Sequence, residues 1–390
     1  MSGYRILYHH RIRADDGQAV HVRELIGALR AEGHEVLECA LVAKSGAAQA
    51  GGGAAGTGWL RHLRLPRLLT EALEIVYGTA GARRVVAAGR SFRPHFVYER
   101  CALHCRVGLL AARALGVPLL LEVNSPHVDE MRALGLLRFA ARARASERMV
   151  LAGADRVLAV TRVLADLLVA RGARAETVRV IPNGAEPDRY GPEAGAASRT
   201  LRAGLRLPGE AFLLGFVGYL RPWHRLDLVL EAMRRPGLEA LHLVLIGDGP
   251  ALRPTLAAAG SAGLAGRVHA LGRVPPADLP PRVAMCDALL VPAINAYASP
   301  LKLFDALAAG VAAVAPRQPN LEEVLRDGED GVLFPPGDAA GLAERLRWLV
   351  DDRTRAVRLG AAGRASLLAH EWTWRGNARR VVRAFEEVAQ

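Results

Sequence analysis

Short apolar runs recur along the whole chain at intervals too long for hairpins, and the intervening stretches carry helical periodicity. Twelve such runs stand out: residues 4–8, 36–42, 96–99, 118–123, 156–160 and 178–181, then 212–217, 241–246, 268–271, 288–291, 311–314 and 331–334. Antiparallel neighbours can be joined by a tight turn, whereas parallel neighbours need a crossover of about a dozen residues, usually a helix. The pattern therefore predicts an α/β chain built on parallel sheets. Leu119-Leu120-Leu121 shows no polar alternation, the mark of a central strand covered on both faces.

A turn-rich break at Ile181-Pro182-Asn183-Gly184-Ala185-Glu186-Pro187, continued by Gly191 to Ala197, divides the series. It sets a first domain at 1–185 and a second at 186–371, each a doubly wound parallel sheet, with the amphipathic stretch 372–390 crossing back to complete the first. A length of 390 residues suits two such domains. The four cysteines, Cys39, Cys101, Cys105 and Cys286, lack Cys-x-x-Cys spacing, so free thiols and no structural metal are expected. No run of about 18 apolar residues occurs and the start lacks a basic-then-apolar signal pattern, which predicts a cytoplasmic protein.

The net charge of +12 is unevenly placed. Residues 1–185 hold 26 Lys+Arg against 16 Asp+Glu, leaving 25 against 23 in the remainder. A basic first half suits an anionic partner. No zinc-finger spacing, helix-turn-helix cue or aromatic-interleaved basic stripe points to nucleic acid. The stretch Trp59 to Leu69 mixes Arg61, Arg64 and Arg67 with leucines, so it suits either anionic lipid headgroups or a helix packed on the sheet. Gly46 to Gly58 is a Gly/Ala-rich loop sequence.

Candidate ligand groups cluster where parallel sheets place them, beyond the carboxyl ends of strands. Ser299 and Pro300 suit the N-cap and first position of a helix that Gly310 closes. The first-turn amides of Leu301, Lys302 and Leu303, the helix dipole and the Lys302 ammonium make an anion seat. Asp305, three residues from Lys302, shares its face and can accept from hydroxyls; Leu301, Phe304, Leu307 and Ala308 face the core. The basic loop Gly218-Tyr219-Leu220-Arg221-Pro222-Trp223-His224-Arg225 feeds a second helix, with Arg221 the side chain suited to phosphate. Gly247-Asp248-Gly249-Pro250 is a tight strand-to-helix turn on the same rim. In the first half, His9, His10 and the Asp15-Asp16-Gly17 loop follow the first strand, and Glu122-Val123-Asn124-Ser125-Pro126-His127 follows a central one. No Gly-x-Gly-x-x-Gly or Walker A sequence occurs.

With both halves laid out, nearly the whole chain resembles the retaining glycosyltransferases of family 4, which have the GT-B fold of two facing Rossmann-like domains. The resemblance rests on five motifs in order. They are the glycine loop with its helix and Gly33-His34-Glu35-Val36, the Val180-Ile181-Pro182-Asn183-Gly184 hinge, Gly218 with its basic loop, Gly247-Asp248-Gly249-Pro250, and the Ser299 to Gly310 helix. It implies a UDP- or GDP-sugar donor held mainly by the second domain, a saccharide or lipid-linked acceptor on the first, and no metal or other cofactor. By the same resemblance Lys302 and Arg221 neutralise the diphosphate, with the amides of Leu301 and Leu303 and Gly17. Asp305 takes the ribose, and Val274 meets the base through its backbone. Asn124, His127 and Lys302 are the candidate catalytic groups. The family's pair of glutamates eight apart is here Tyr297 and Asp305, its lysine-glycine pair is His224-Arg225, and Asn124 stands where many relatives have histidine. A nucleotide-sugar 2-epimerase or a non-catalytic nucleotide-sugar or polysaccharide-binding subunit would share the cleft.

Overall fold

The computed structural model describes residues 3–12, 17–40 and 67–389. Asp15, Asp16, the Gly/Ala-rich loop and residues 59–66 with Arg61 and Arg64 lie outside them. The chain divides into two compact units, one of residues 1–160, 164–181 and 378–390, the other of residues 161–163 and 182–377.

The first unit carries β1 (Arg5–His10), β2 (Glu35–Ala40), β3 (Phe96–Arg100), β4 (Leu119–Val123), β5 (Arg156–Ala159) and β6 (Val178–Val180). They form one sheet in the order β2-β1-β3-β4-β5-β6, every pair parallel. The second unit carries β7 (Phe212–Val217), β8 (Leu241–Ile246), β9 (Val268–Gly272), β10 (Ala288–Leu290), β11 (Ala312–Pro316) and β12 (Val332–Phe334). Their order is β12-β11-β10-β7-β8-β9, again parallel throughout. In both sheets the order reverses beside the first strand, the switch point at which crossovers diverge and ligands collect.

Each of the twelve apolar runs contributes a strand; the inner strands are buried because both faces of these sheets are covered, while β2, β6 and β9 at the edges stay partly exposed. On β7, Phe212, Leu214 and Phe216 enter one core with Val229, Met233, Leu342 and Leu346, while Leu213 and Val217 enter the other with Leu289, Leu303, Phe304 and Leu307. A period of two thus feeds two cores with apolar side chains from a single strand. The final helix, Trp374–Ala389, stacks Phe385 on Phe96 at 4.6 Å and pairs Arg379 with Glu32 at 2.8 Å.

One expectation needs correction. His9 and His10 are the last residues of β1 and are buried, because Glu99 on β3 (2.7 Å) and Glu38 on β2 (3.0 Å) extend the pairing by supplying carboxylates to both rings. From Arg67 the chain forms a 26-residue helix to Phe92. Among the described residues, no helix is long and apolar enough to cross a membrane.

Candidate functional site

The segment Tyr297–Pro300 leads from β10 into the helix Leu301–Ala309, which Gly310 closes in the left-handed conformation at φ 66°. Ser299 does not cap this helix. Pro300 occupies the cap position, and the Ser299 hydroxyl accepts from the Asn183 amide at 3.1 Å, so a tertiary bond takes the oxygen that capping would use. The neighbouring carbonyls are also held. Asn183 Nδ2 donates to Ser299 O (2.6 Å), Asn320 Nδ2 to Ala298 O (2.7 Å) and Thr161 Oγ1 to Tyr297 O (2.9 Å). Three side chains from distant parts of the sequence thereby fix the backbone entering the helix.

In the first turn, the Leu303 amide donates to Pro300 O at 3.0 Å, so it is committed internally. The amides of Leu301 and Lys302 have no acceptor within the helix and carry the positive end of its dipole. Phe304, Leu307 and Ala308 are buried as expected, with Leu303 and Ala306 beside them; Leu301 is half-buried.

Lys302 is only 9% exposed. Its Nζ lies 4.0 Å from the centroid of the Phe216 ring, at the end of β7. Burial lowers its pKa to about 7, against the opposing attraction of Asp305. Asp305 Oδ1 accepts from the Tyr190 hydroxyl at 2.9 Å, and the carboxylate in turn pushes the phenol well up after burial has raised it.

His224 shares the Phe216 ring with Lys302, edge to face at 5.1 Å. Its Nδ1 accepts from the Arg221 amide at 3.1 Å, so the neutral ring carries its proton on Nε2. Burial, then Lys302 and Arg221, push its pKa down to about 3. His224 is therefore a neutral donor at physiological pH. Arg221 lies between two rings, 4.6 Å from that of Tyr219 and 5.1 Å from that of Trp223, both about half exposed. These contacts hold the guanidinium over aromatic faces at the rim.

The turn Gly247-Asp248-Gly249-Pro250 supports this loop from behind. Leu220 N donates to Asp248 O at 2.8 Å, and Gly247, at φ 141°, would place a Cβ 2.0 Å from Gly218 O. Only glycine lets the two loops pack backbone to backbone. Val274 follows β9 and packs half-buried against the second core.

Gly17, Asn124 and His127 belong to the first unit. Gly17 opens the helix Gly17–Ala31, exposed. Asn124 follows β4 with Oδ1 buried and lacking a hydrogen-bond partner among the described residues. His127 begins the helix His127–Ala133, its Nδ1 3.2 Å from Ser125 Oγ and 3.7 Å from Glu130. Beside them, Glu122 accepts from Arg100 and from Tyr98 OH (2.7 Å), with His21 at 3.1 Å. Those cationic and donor groups hold the Glu122 carboxyl far below its ordinary range although burial opposes them. His9, Glu99 and Cys105 place three donor atoms within 4.8 Å, the types that bind a borderline-soft divalent ion. Against that, the Gly108 amide already donates to Glu99 Oε1 at 2.7 Å, and burial pushes the Cys105 thiol up, away from the thiolate a metal takes.

Sequence reasoning placed Lys302, Asp305, Arg221 and His224 on one rim, and the second unit brings them together. It missed Phe216, Tyr190, Thr161 and Asn320, whose contacts come from distant chain positions.

Two family models cover most of the chain: "Glycosyl transferase 4-like domain" over residues 16–184 and "Glycosyl transferases group 1" over residues 197–366. A D-inositol 3-phosphate glycosyltransferase of Salinispora arenicola is 30% identical over 314 residues, covering 75% of this chain and 69% of that protein. A GDP-mannose-dependent alpha-(1-6)-phosphatidylinositol monomannoside mannosyltransferase of Mycobacterium tuberculosis is 28% identical, covering 60% of this chain and 62% of the relative. Among solved structures, the sucrose-phosphate synthase of Thermosynechococcus elongatus superposes with a TM-score of 0.77 at 19% identity, over 99% of both chains. Anabaena HepE in complex with UDP and glucose gives 0.70 at 16% identity, over 98% of this chain and 100% of that one. From its paired sheets and its match to both domain models, the chain belongs to the group 1, family 4 glycosyltransferases of GT-B fold.

Proposed function

We propose that this glycosyltransferase moves a hexose, with retention, from a UDP- or GDP-sugar to a saccharide or lipid-linked acceptor, without a metal. The observation that carries the reading is the buried Lys302 ammonium over Phe216, at the start of a helix, with His224 against the same ring and Asp305 attracting it. A buried cation whose neighbouring carboxylate, Asp305, is itself bonded to Tyr190 is suited to an incoming anion. Lys302 and Arg221 neutralise the diphosphate, the Leu301 and Lys302 amides and His Nε2–H of residue 224 donate to its oxygens, and Ser299 and Pro300 set the backbone there. Asp305 accepts from the ribose, Val274 meets the base through its backbone, Gly17 is a further donor-binding position, and Asn124 and His127 join Lys302 as the catalytic groups. As the bond from the anomeric carbon to phosphate oxygen breaks, the acceptor oxygen bonds to the same face and its proton passes to the departing phosphate. No protein nucleophile is required.

The names of the relatives support this class, since they include a GDP-mannose-dependent mannosyltransferase and a protein solved with UDP and glucose. The basic first domain is suited to work at the inner face of the cell membrane if the acceptor is lipid-linked. A thermal-shift panel of UDP- and GDP-sugars tests the reading. We expect one nucleotide-sugar to raise the melting temperature and to be hydrolysed slowly, both effects lost in Lys302→Ala. If no nucleotide-sugar stabilises the protein, the donor site is misplaced; if binding occurs without transfer or hydrolysis, the chain is a binding subunit.

A further inference from the structure

We infer that the start of the helix Arg67–Phe92 and the adjoining segment 134–139 form one face that adsorbs to an anionic lipid bilayer. The inference supplies the surface for the membrane contact just proposed, and its test needs neither donor nor acceptor.

A soluble domain ordinarily turns the apolar stripe of a helix inward. Here Leu69, Leu73 and Val76, at i, i+4 and i+7, lie on the outside together with Leu68, while Glu71, Gly78, Ala82 and Val85 take the buried side. Leu134, Leu136 and Phe139 are exposed as well, and all seven large side chains fall between 36% and 64% exposed. Isolated exposed leucines are ordinary, but a group of this size marks an interaction surface.

The two pieces are joined by built contacts. Arg67 Nε donates to Leu136 O at 2.8 Å. The fully buried Glu71 carboxylate accepts from the amides of Arg138 (2.7 Å) and Phe139 (3.0 Å) and meets His104 Nε2 at 2.9 Å. A buried carboxylate is thus committed to holding an otherwise exposed apolar loop against the helix.

The charges around the face identify its partner. Arg132, Arg138 and Arg142 are exposed, and residues 131–142 contain no acidic residue. The nearby acids are already engaged: Glu74 by Arg67 at 3.2 Å, Asp129 by Arg171 at 2.8 Å and by Arg144. Leucines rimmed by arginine match the acyl and phosphate layers of an anionic leaflet, into which guanidinium heads reach phosphate while their stems cover apolar surface. The same rim repels a second copy presenting the same face.

Flotation of the full chain on vesicles of phosphatidylcholine, with and without phosphatidylglycerol, tests this. We expect binding only with phosphatidylglycerol. The pair Leu69→Ser with Leu73→Ser should lower it at least about tenfold, the value of one buried leucine or more. Arg132→Gln and Arg138→Gln should each lower it about fivefold. Val357→Ser, on an exposed position of the second unit, should change nothing. Melting temperatures and donor-induced shifts should stay as in the unmodified protein, which separates loss of this face from failure of the donor site. The inference is overturned by equal flotation on neutral vesicles, by no flotation, by an unaffected leucine pair, or by light scattering that reveals a dimer which the leucine pair dissolves.

Discussion

The sharpest consequence of the proposed donor seat concerns protons. With its pKa lowered to about 7 by burial over Phe216, Lys302 is charged in only about one molecule in ten at pH 8 when no ligand is present. A diphosphate docked against Nζ restores the charged form, so binding must draw a proton from solvent. The sign is fixed. Below pH 7 the ammonium is already present and the dissociation constant is flat. Above pH 7 the constant rises about tenfold for each further step of one in pH, until the pKa of the bound state is reached. Calorimetry at pH 8 in two buffers of different ionisation enthalpy should record uptake of about 0.9 proton for each nucleotide-sugar bound. His224 does not contribute, since its pKa of about 3 keeps it neutral throughout. Lys302→Arg should abolish both the slope and the uptake, because guanidinium stays charged. The same burial has a counterpart in stability. Between about 7 and the ordinary 10.5 the unfolded chain binds the proton that the folded chain lacks, so stability rises with pH across that window and the penalty is complete below it. The gap corresponds to an upper limit of roughly 5 kcal/mol. Lys302→Met should therefore stabilise the unliganded protein at pH 6 while abolishing donor binding. A dissociation constant independent of pH from 7 to 9, with no proton uptake, would refute the placement of the diphosphate at Lys302.

Two further outcomes are expected. Arg221→Ala should weaken nucleotide-sugar binding by roughly 1.5–3 kcal/mol, the range for hydrogen bonds to charged groups; an unchanged constant for both UDP- and GDP-sugars would remove Arg221 from the phosphate. Glu122→Gln should destabilise the protein by about 3–5 kcal/mol, because Arg100 is left buried without its carboxylate. The Glu122 contribution is present above the ordinary carboxyl value of 4.5 and is lost as pH falls below it, so denaturant midpoints of the two proteins should converge in acid.

The strands were legible in the sequence because a strand covered on both faces is mostly apolar, as β7 is along its whole length and β4 is at Leu119, Leu120 and Leu121. The helix Arg67–Phe92 was not. Its leucines lie outside and its buried side is Glu71, Gly78, Gly81, Ala82, Val85 and Gly89, mostly small residues, so apolar periodicity points the wrong way round. On the rim, the spacing of Lys302 and Asp305 revealed a shared face, since three residues separate neighbours on a helix. Nothing local could reveal that Phe216 underlies Lys302 or that Tyr190 holds Asp305, because those contacts join chain positions about a hundred residues apart. Ser299 was misassigned for the same reason: local rules favour a cap, and Asn183, over a hundred residues away, takes the hydroxyl.

The anchors of Tyr297–Pro300 also bear on how such an enzyme diversifies. Thr161 and Asn320, and Asn183 through its amide, grip carbonyl oxygens of this segment, and a carbonyl is the same whatever residue bears it. The loop can therefore exchange its side chain at position 297 without surrendering its path into the helix. The family pattern that the sequence resembles has glutamate there; this chain has tyrosine, whose hydroxyl accepts from Asn295 Nδ2 at 2.8 Å. On the proposed donor reading, position 297 is the place to saturate in a library aimed at new donor sugars, whereas positions 161, 183 and 320 are those to leave untouched.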